Sequence, residues 1–133
     1  MNSFGNSFRV SIFGESHGKT MGITLDNVPP GIDIDADDFL KDIDRRKPGK
    51  KGTTTRKESD QPIFASGLFN GKTTGAPLTI LIENSNTRSS DYQKTKSFHR
   101  PGHADFVANE KFKGFQDYRG GGHFSGRLTV LIV

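Results

Sequence analysis

The stretch RVSIFGESHGKTMGITL, residues 9–25, decides how the fold is read. RVSIF (9–13) alternates apolar and polar positions, the period of a half-buried strand. MGITL (21–25) is short and apolar and reads as the neighbouring strand. GESHGKT (14–20) then becomes the connection between them. It carries Glu15, Ser16 and His17 in a row, fenced by Gly14 and Gly18. Glycines allow unusual backbone angles and close approach to a ligand. A histidine held there can serve as a general acid or base near neutral pH; on local spacing alone, a plain polar turn is the commoner outcome for such residues. Ser16 and His17 are not read as a nucleophile and its base, because neighbours on extended chain point to opposite sides. Nor does GESHG match the G-x-S-x-G elbow, in which the serine is central.

Outward from this strand pair, NVPPGI (27–32) is a Pro/Gly turn. ADDFLKDIDRR (36–46) puts Ala36, Phe39, Leu40 and Ile43 on one helical face. Asp35 can cap its start, Asp37 and Asp38 suit the first turn, Arg45 and Arg46 the last, and Pro48-Gly49 ends it. KPGKKGTTTRKESDQ (47–61) has no periodicity. PIFASGLF (62–69) and KTTGAPLTILIE (72–83) flank Asn70-Gly71, a strong hairpin signal. Residues 84–102 read as polar loop. HADFVANEKFKG (103–114) reads as a helix with Ala104, Val107, Ala108 and Phe112 on one side and Gly114 as its cap. RGGGHFSGR (119–127) leads into an apolar tail. No internal repeat is visible, and strands followed by mixed helix and strand predict an α+β fold.

Only 31% of the 133 residues are apolar, with 16 glycines and no tryptophan, and the mean hydropathy is −0.62. Buried apolar area must offset the entropy of ordering the chain, so a self-sufficient core is not expected. RLTVLIV at the C-terminus closes on an apolar run without a cap. The expectation is the N-terminal part of a longer, single domain, or an obligate oligomer. There is no cysteine, hence no disulfide framework or thiolate metal site. The first residues lack the charged and apolar regions of a signal peptide, and no apolar run reaches the ~18 residues of a membrane span. A cytoplasmic protein without a membrane partner is expected.

The net charge is +4, and cations concentrate between residues 45 and 58. Arg45, Arg46 and Arg56, with Lys50 and Lys51, can clamp phosphate and carboxylate groups or simply solvate a loop. No nucleic-acid-binding motif accompanies them, which argues against nucleic acid. The four histidines (17, 99, 103 and 123) show no i, i+4 pairing for a metal. His103 follows a Pro-Gly turn and precedes a helix start, where it can be a proton donor or a cap. The triple glycine of GGGHFS (120–125) can present free N–H groups to a phosphate if a helix follows with Ser125 near its cap; the β-branched tail favours a strand instead.

Four blocks then fall in a familiar order: FGESHGKTMGITLDNVPPG (13–31), DRRKPG (44–49), RPGHAD (100–105) and DYRGGGHFSGR (117–127). Together they resemble the chorismate synthase family, and SGLFNGKTTGAPL and LIENSNTRSSDY fit as well. The resemblance covers essentially the whole chain and implies the N-terminal portion of an enzyme well over twice as long, with an unusual β-α-β sandwich fold. It implies loss of phosphate and a C6 proton from 5-enolpyruvylshikimate 3-phosphate, an anti-1,4-elimination giving chorismate. It implies reduced FMN, although the reaction is redox-neutral, NADPH for flavin reduction in some members, and a homotetramer.

Residue by residue, the resemblance gives His17 the protonation of the departing phosphate and His103 that of reduced flavin. Arg46 matches a position that binds NADP or a substrate anion, and Ser16 joins the anion-binding set. His123, Phe124 and Ser125 fall where the family contacts FMN, and Arg127 closes that motif. Two departures stand out. The basic loop is one residue shorter than in many members, with Lys51 nearest the second anion-binding position. GGGHFSGR also stands where many members read GGGRSSAR. An inactive fragment and a basic polyanion-binding module are the alternatives.

Overall fold

A computed structural model of the chain describes residues 2–46, 61–84 and 98–126. Its centre is an antiparallel sheet built from β1 (Ser3–Phe4), β2 (Arg9–Phe13), β3 (Thr20–Asp26), β4 (Pro62–Ser66) and β7 (Leu78–Glu83), in the order β1-β2-β3-β7-β4. A separate two-stranded ribbon pairs β5 (Leu68–Phe69) with β6 (Lys72–Thr73). Three helices follow the chain order: α1 (Asp37–Arg46), α2 (Asp105–Phe112) and α3 (Gly122–Gly126). Strands and helices together make the α+β class expected from the sequence.

Register explains the core. Val10, Leu25 and Leu78 stand side by side across three strands, as do Ile12, Ile23 and Ile80, with Met21 opposite Ile82. These rows share one face because successive side chains alternate, and most of their members form the buried cluster, against which Phe39 of α1 and Phe64 pack. Ile43 of α1 is fully buried. The alternate row is hydroxylic. Ser3 is opposite Ser11, which is opposite Thr24, which is opposite Thr79; Ser3 and Ser11 are bonded at 2.6 Å and Thr24 and Thr79 at 3.0 Å. Phe13 lies opposite Gly22, and a Cβ on that glycine would strike the Phe13 ring.

The start of α1 is capped as its sequence predicts. Asp37 N–H donates to the Asp35 carboxylate at 2.9 Å, and Asp35 N–H donates back to Asp38 at 2.8 Å, so two N–H groups without helical partners are satisfied reciprocally. Buried Thr73 fastens the 27–32 turn: its hydroxyl accepts from Ile32 N–H at 2.9 Å and donates to Pro29 O at 2.6 Å.

Three expectations change. KTTGAPLTILIE is two strands, because Gly75 takes φ +87° and Pro77 has no N–H to continue a ladder. The hairpin at Asn70-Gly71 forms, with φ values of 47° and 73°, but joins only the short ribbon strands; β7 pairs instead with β3 and β4. The helix expected at 103–114 begins at Asp105, since Gly102 takes φ +75° and the chain turns at residues 101–102. Val107 is 56% exposed and so does not share the buried side with Ala108. At the far end Lys113, in the left-handed region, is the C-cap, with Gly114 bonding back to Asn109 O.

Candidate active site

Residues 14–19 join β2 to β3, as expected, and the turn they form is held from two distant parts of the chain. Asn84, just past the end of β7, donates from its carboxamide to Gly18 O at 2.8 Å and reaches Ser16 O and Glu15 O at 3.3 and 3.4 Å. Its own N–H donates to Lys19 O at 2.9 Å. From the other side, Ser16 N–H donates to Gly122 O at 3.0 Å. His17 is thereby carried inward and is 4% exposed.

The triple glycine closes over the imidazole. A Cβ on Gly120 would come within 2.5 Å of Ser16 Oγ and 2.7 Å of His17 Nδ1, so only glycine permits this approach. Ser16 Oγ and His17 Nδ1 are 3.2 Å apart. This corrects the expectation that the two side chains diverge: they sit in a turn, where the alternation of a strand does not apply. The serine orients the ring through Nδ1, as an orienting partner does.

Two ion pairs stiffen the surroundings. Arg100 donates to Asp105 from Nε at 2.8 Å and Nη2 at 2.9 Å, and from Nη2 to Gly120 O at 2.5 Å. The RPGHAD block is thus bolted to the glycine loop. Hydrogen bonds from the Arg100 side chain hold the Asp105 carboxyl at about 2. Arg119 donates to Asp117 from Nε at 2.8 Å and Nη2 at 2.7 Å. That side-chain bond holds Asp117 below its ordinary value despite its desolvation, with the charges of Arg119 and His17 acting the same way.

These parts enclose two adjoining spaces and a larger cleft. The cleft, of about 690 Å³, is lined by His17, Glu15, Lys19, Asn84 and Arg119. A narrow cavity of about 40 Å³ is lined by His99, His103, Phe112, His123 and Phe124. Between them lies a hollow of about 300 Å³ against Glu15, Phe112, Phe115 and His123. Gln116 and Asp117 line all three. Phe112, His123 and Phe124 form a ring cluster with centroids 5.6 to 6.1 Å apart.

A family model described as chorismate synthase matches residues 8–133. The chain belongs to the chorismate synthase family. A chorismate synthase of Chitinophaga pinensis is 63% identical over 133 residues, all of this chain and 40% of that protein. One from Thermococcus gammatolerans is 49% identical over 129 residues, 97% of this chain and 36% of that protein. The chain therefore spans about two fifths or less of the curated chorismate synthases to which it is compared here. A solved chorismate synthase structure superposes with a TM-score of 0.65 at 23% identity, over 96% of this chain and 31% of that one. The fold is chorismate synthase-like, represented here by the sheet, the ribbon and the three helices.

Within this chorismate synthase fold the residues singled out from sequence fall into distinct groups. His17 and Ser16 meet at the glycine loop and His17 lines the cleft. His103, His123 and Phe124 line the narrow cavity; His103 is exposed and lies two residues ahead of α2. The two histidines expected to be catalytic therefore line different spaces, with Gln116 and Asp117 in both walls. Ser125 lies inside the five-residue α3 and not at its cap; its side chain fills the space beside Gly121, where a Cβ would collide with it. A helix follows the glycines through residue 126. Arg45 and Arg46 are the last two residues of α1. Lys51, Arg56 and Arg127 lie outside the described residues. No cluster of three metal-ligating side chains occurs among the described residues, and none of their helices is long and apolar enough to cross a membrane. Asn84, Gln116, Arg100 and Asp105 were not singled out from sequence. Polar residues were visible at each place, but nothing local tied them to His17.

Proposed function

We propose that the chain is the N-terminal part of a single chorismate synthase domain. The whole protein would convert 5-enolpyruvylshikimate 3-phosphate to chorismate by anti-1,4-elimination. The observation that carries this is the enclosure of His17 between Ser16 and Gly120, at the wall of a cleft large enough for a drug-sized metabolite. An imidazole so oriented delivers a proton to the departing phosphate, which needs an acid as negative charge builds on its oxygen. Lys19 and Arg119 line the same cleft but are balanced by Glu15 and Asp117. The surplus positive charge for a substrate with a phosphate and two carboxylates falls to Arg45, Arg46, Lys51 and Arg56.

The residues also suit a flavin. The hollow against Phe112, Phe115 and His123 has aromatic walls and, at about 300 Å³, lies at the lower end of ligand-pocket sizes; the narrow cavity alone is too small. Phe112, Phe115 and His123 would hold the ring system, with Phe124 behind them, and His103 would hold or move a proton on that side. Bound reduced FMN supplies the electronic chemistry that side chains lack. NADPH as reductant, a homotetramer of the whole protein and a cytoplasmic location come with this proposal from the family alone.

The test uses the complete protein with reduced FMN and the phosphorylated substrate. Chorismate should form, and formation should stop without reduced flavin. His17→Ala should lower turnover by about 10²–10⁴-fold with unchanged thermal unfolding. Full turnover in that variant would remove the histidine from its role.

A further inference from the structure

Gln116 lines the site, yet neither the fold nor the proposed elimination uses its side chain. Its Oε1 is buried and accepts no hydrogen bond among the described residues. A buried acceptor left unmet is destabilising, so such groups in native proteins call for an explanation. The position supplies one, for Gln116 lines the cleft of His17, the aromatic hollow and the cavity of His103 alike. Its neighbour Asp117 is already committed to Arg119, leaving the carboxamide to serve what enters.

We propose that Gln116 is a ligand-binding residue of this site, its Oε1 accepting a hydrogen bond from an N–H or O–H group of a bound ligand. The inference rests on the proposed chorismate synthase chemistry, which offers two sources for that donor: a ring N–H of the flavin and a hydroxyl of the substrate. Either would meet the acceptor on binding, and an acceptor so placed selects a ligand that carries the donor.

The experiment uses the complete protein and Gln116→Met, which keeps the length of the side chain and removes the acceptor. Thermal unfolding of the free protein should be unchanged or raised, because an unmet polar atom is lost. Affinity should fall about tenfold, roughly 1.4 kcal/mol, for one ligand. Oxidised FMN is titrated by quenching of its fluorescence, and the phosphorylated substrate by calorimetry in the presence of FMN. Weaker FMN binding alone assigns the donor to the flavin; weaker substrate binding alone assigns it to a substrate hydroxyl; both outcomes support the proposal. Unchanged affinity for both ligands overturns it, and so does a lowered unfolding temperature, which would mean the acceptor is already satisfied in the free protein. A wild-type protein that binds FMN and substrate while Gln116→Met behaves identically sinks this inference alone. A wild-type protein that binds neither sinks the proposed function.

Discussion

Gly120 lies against His17 so closely that a Cβ there would stand 2.6 Å from the imidazole Cε1. The glycine also takes φ +57°, a region in which an L side chain costs about 1–3 kcal/mol. Gly120→Ala should therefore both strain the loop and push the ring from its place. Turnover of the complete protein should fall at least about tenfold, since small misplacements of reacting groups cost that much or more. The ring resonances of His17 should shift in nuclear magnetic resonance spectra. Wild-type turnover with unmoved resonances would contradict the contact.

Asn84 holds the 14–19 turn through its carboxamide. Each such bond contributes about 1 kcal/mol net. In Asn84→Ala the sheet should persist, while amides of residues 14–19 exchange hydrogen faster. Protection across β2, β3 and β7 should change little. Equal exchange in the turn of variant and wild type would show that the carboxamide is dispensable.

Asp105 has its carboxyl at about 2, below its ordinary 3.8, because of Arg100. A group with a depressed folded value contributes stability above its unfolded value and loses it as pH falls through the folded one. The stability gap between wild type and Asp105→Asn should be steady above about pH 5 and close between about pH 5 and 2. Urea midpoints at several pH values measure it. A gap that does not depend on pH would remove the ion pair from the account.

Local patterns carried much of the scaffold. The Asp35 cap, the helical face ending in Ile43 and the strands at RVSIF and MGITL follow from spacing within a few residues. The break at Gly75 to Pro77 was also written there, in a glycine and a proline ahead of the apolar run LTILI. What spacing could not reveal is the closure of the site. Asn84 lies 66 residues from Gly18, and Arg100 meets the carbonyl of Gly120 twenty residues on. Such bonds join a side chain to a distant backbone oxygen, and a carbonyl has no residue type to recognise. The closeness of Ser16 and His17 was hidden for a related reason: the alternation rule holds on strands, and these residues sit in a turn.

The bond from Asn84 to the 14–19 turn also makes the site a gauge of pairing between β3 and β7. Asn84 reaches Gly18 only while Glu83 stands opposite Thr20. A slip of one residue along that ladder would turn every side chain of β7 to the other face and carry the carboxamide away from its carbonyls. Misaligned chains would then lose the shape of the His17 turn even if most of their sheet had formed. The geometry of the turn is thus tied to correct alignment of the strands, and under the proposed role of His17 a misthreaded molecule would be catalytically silent.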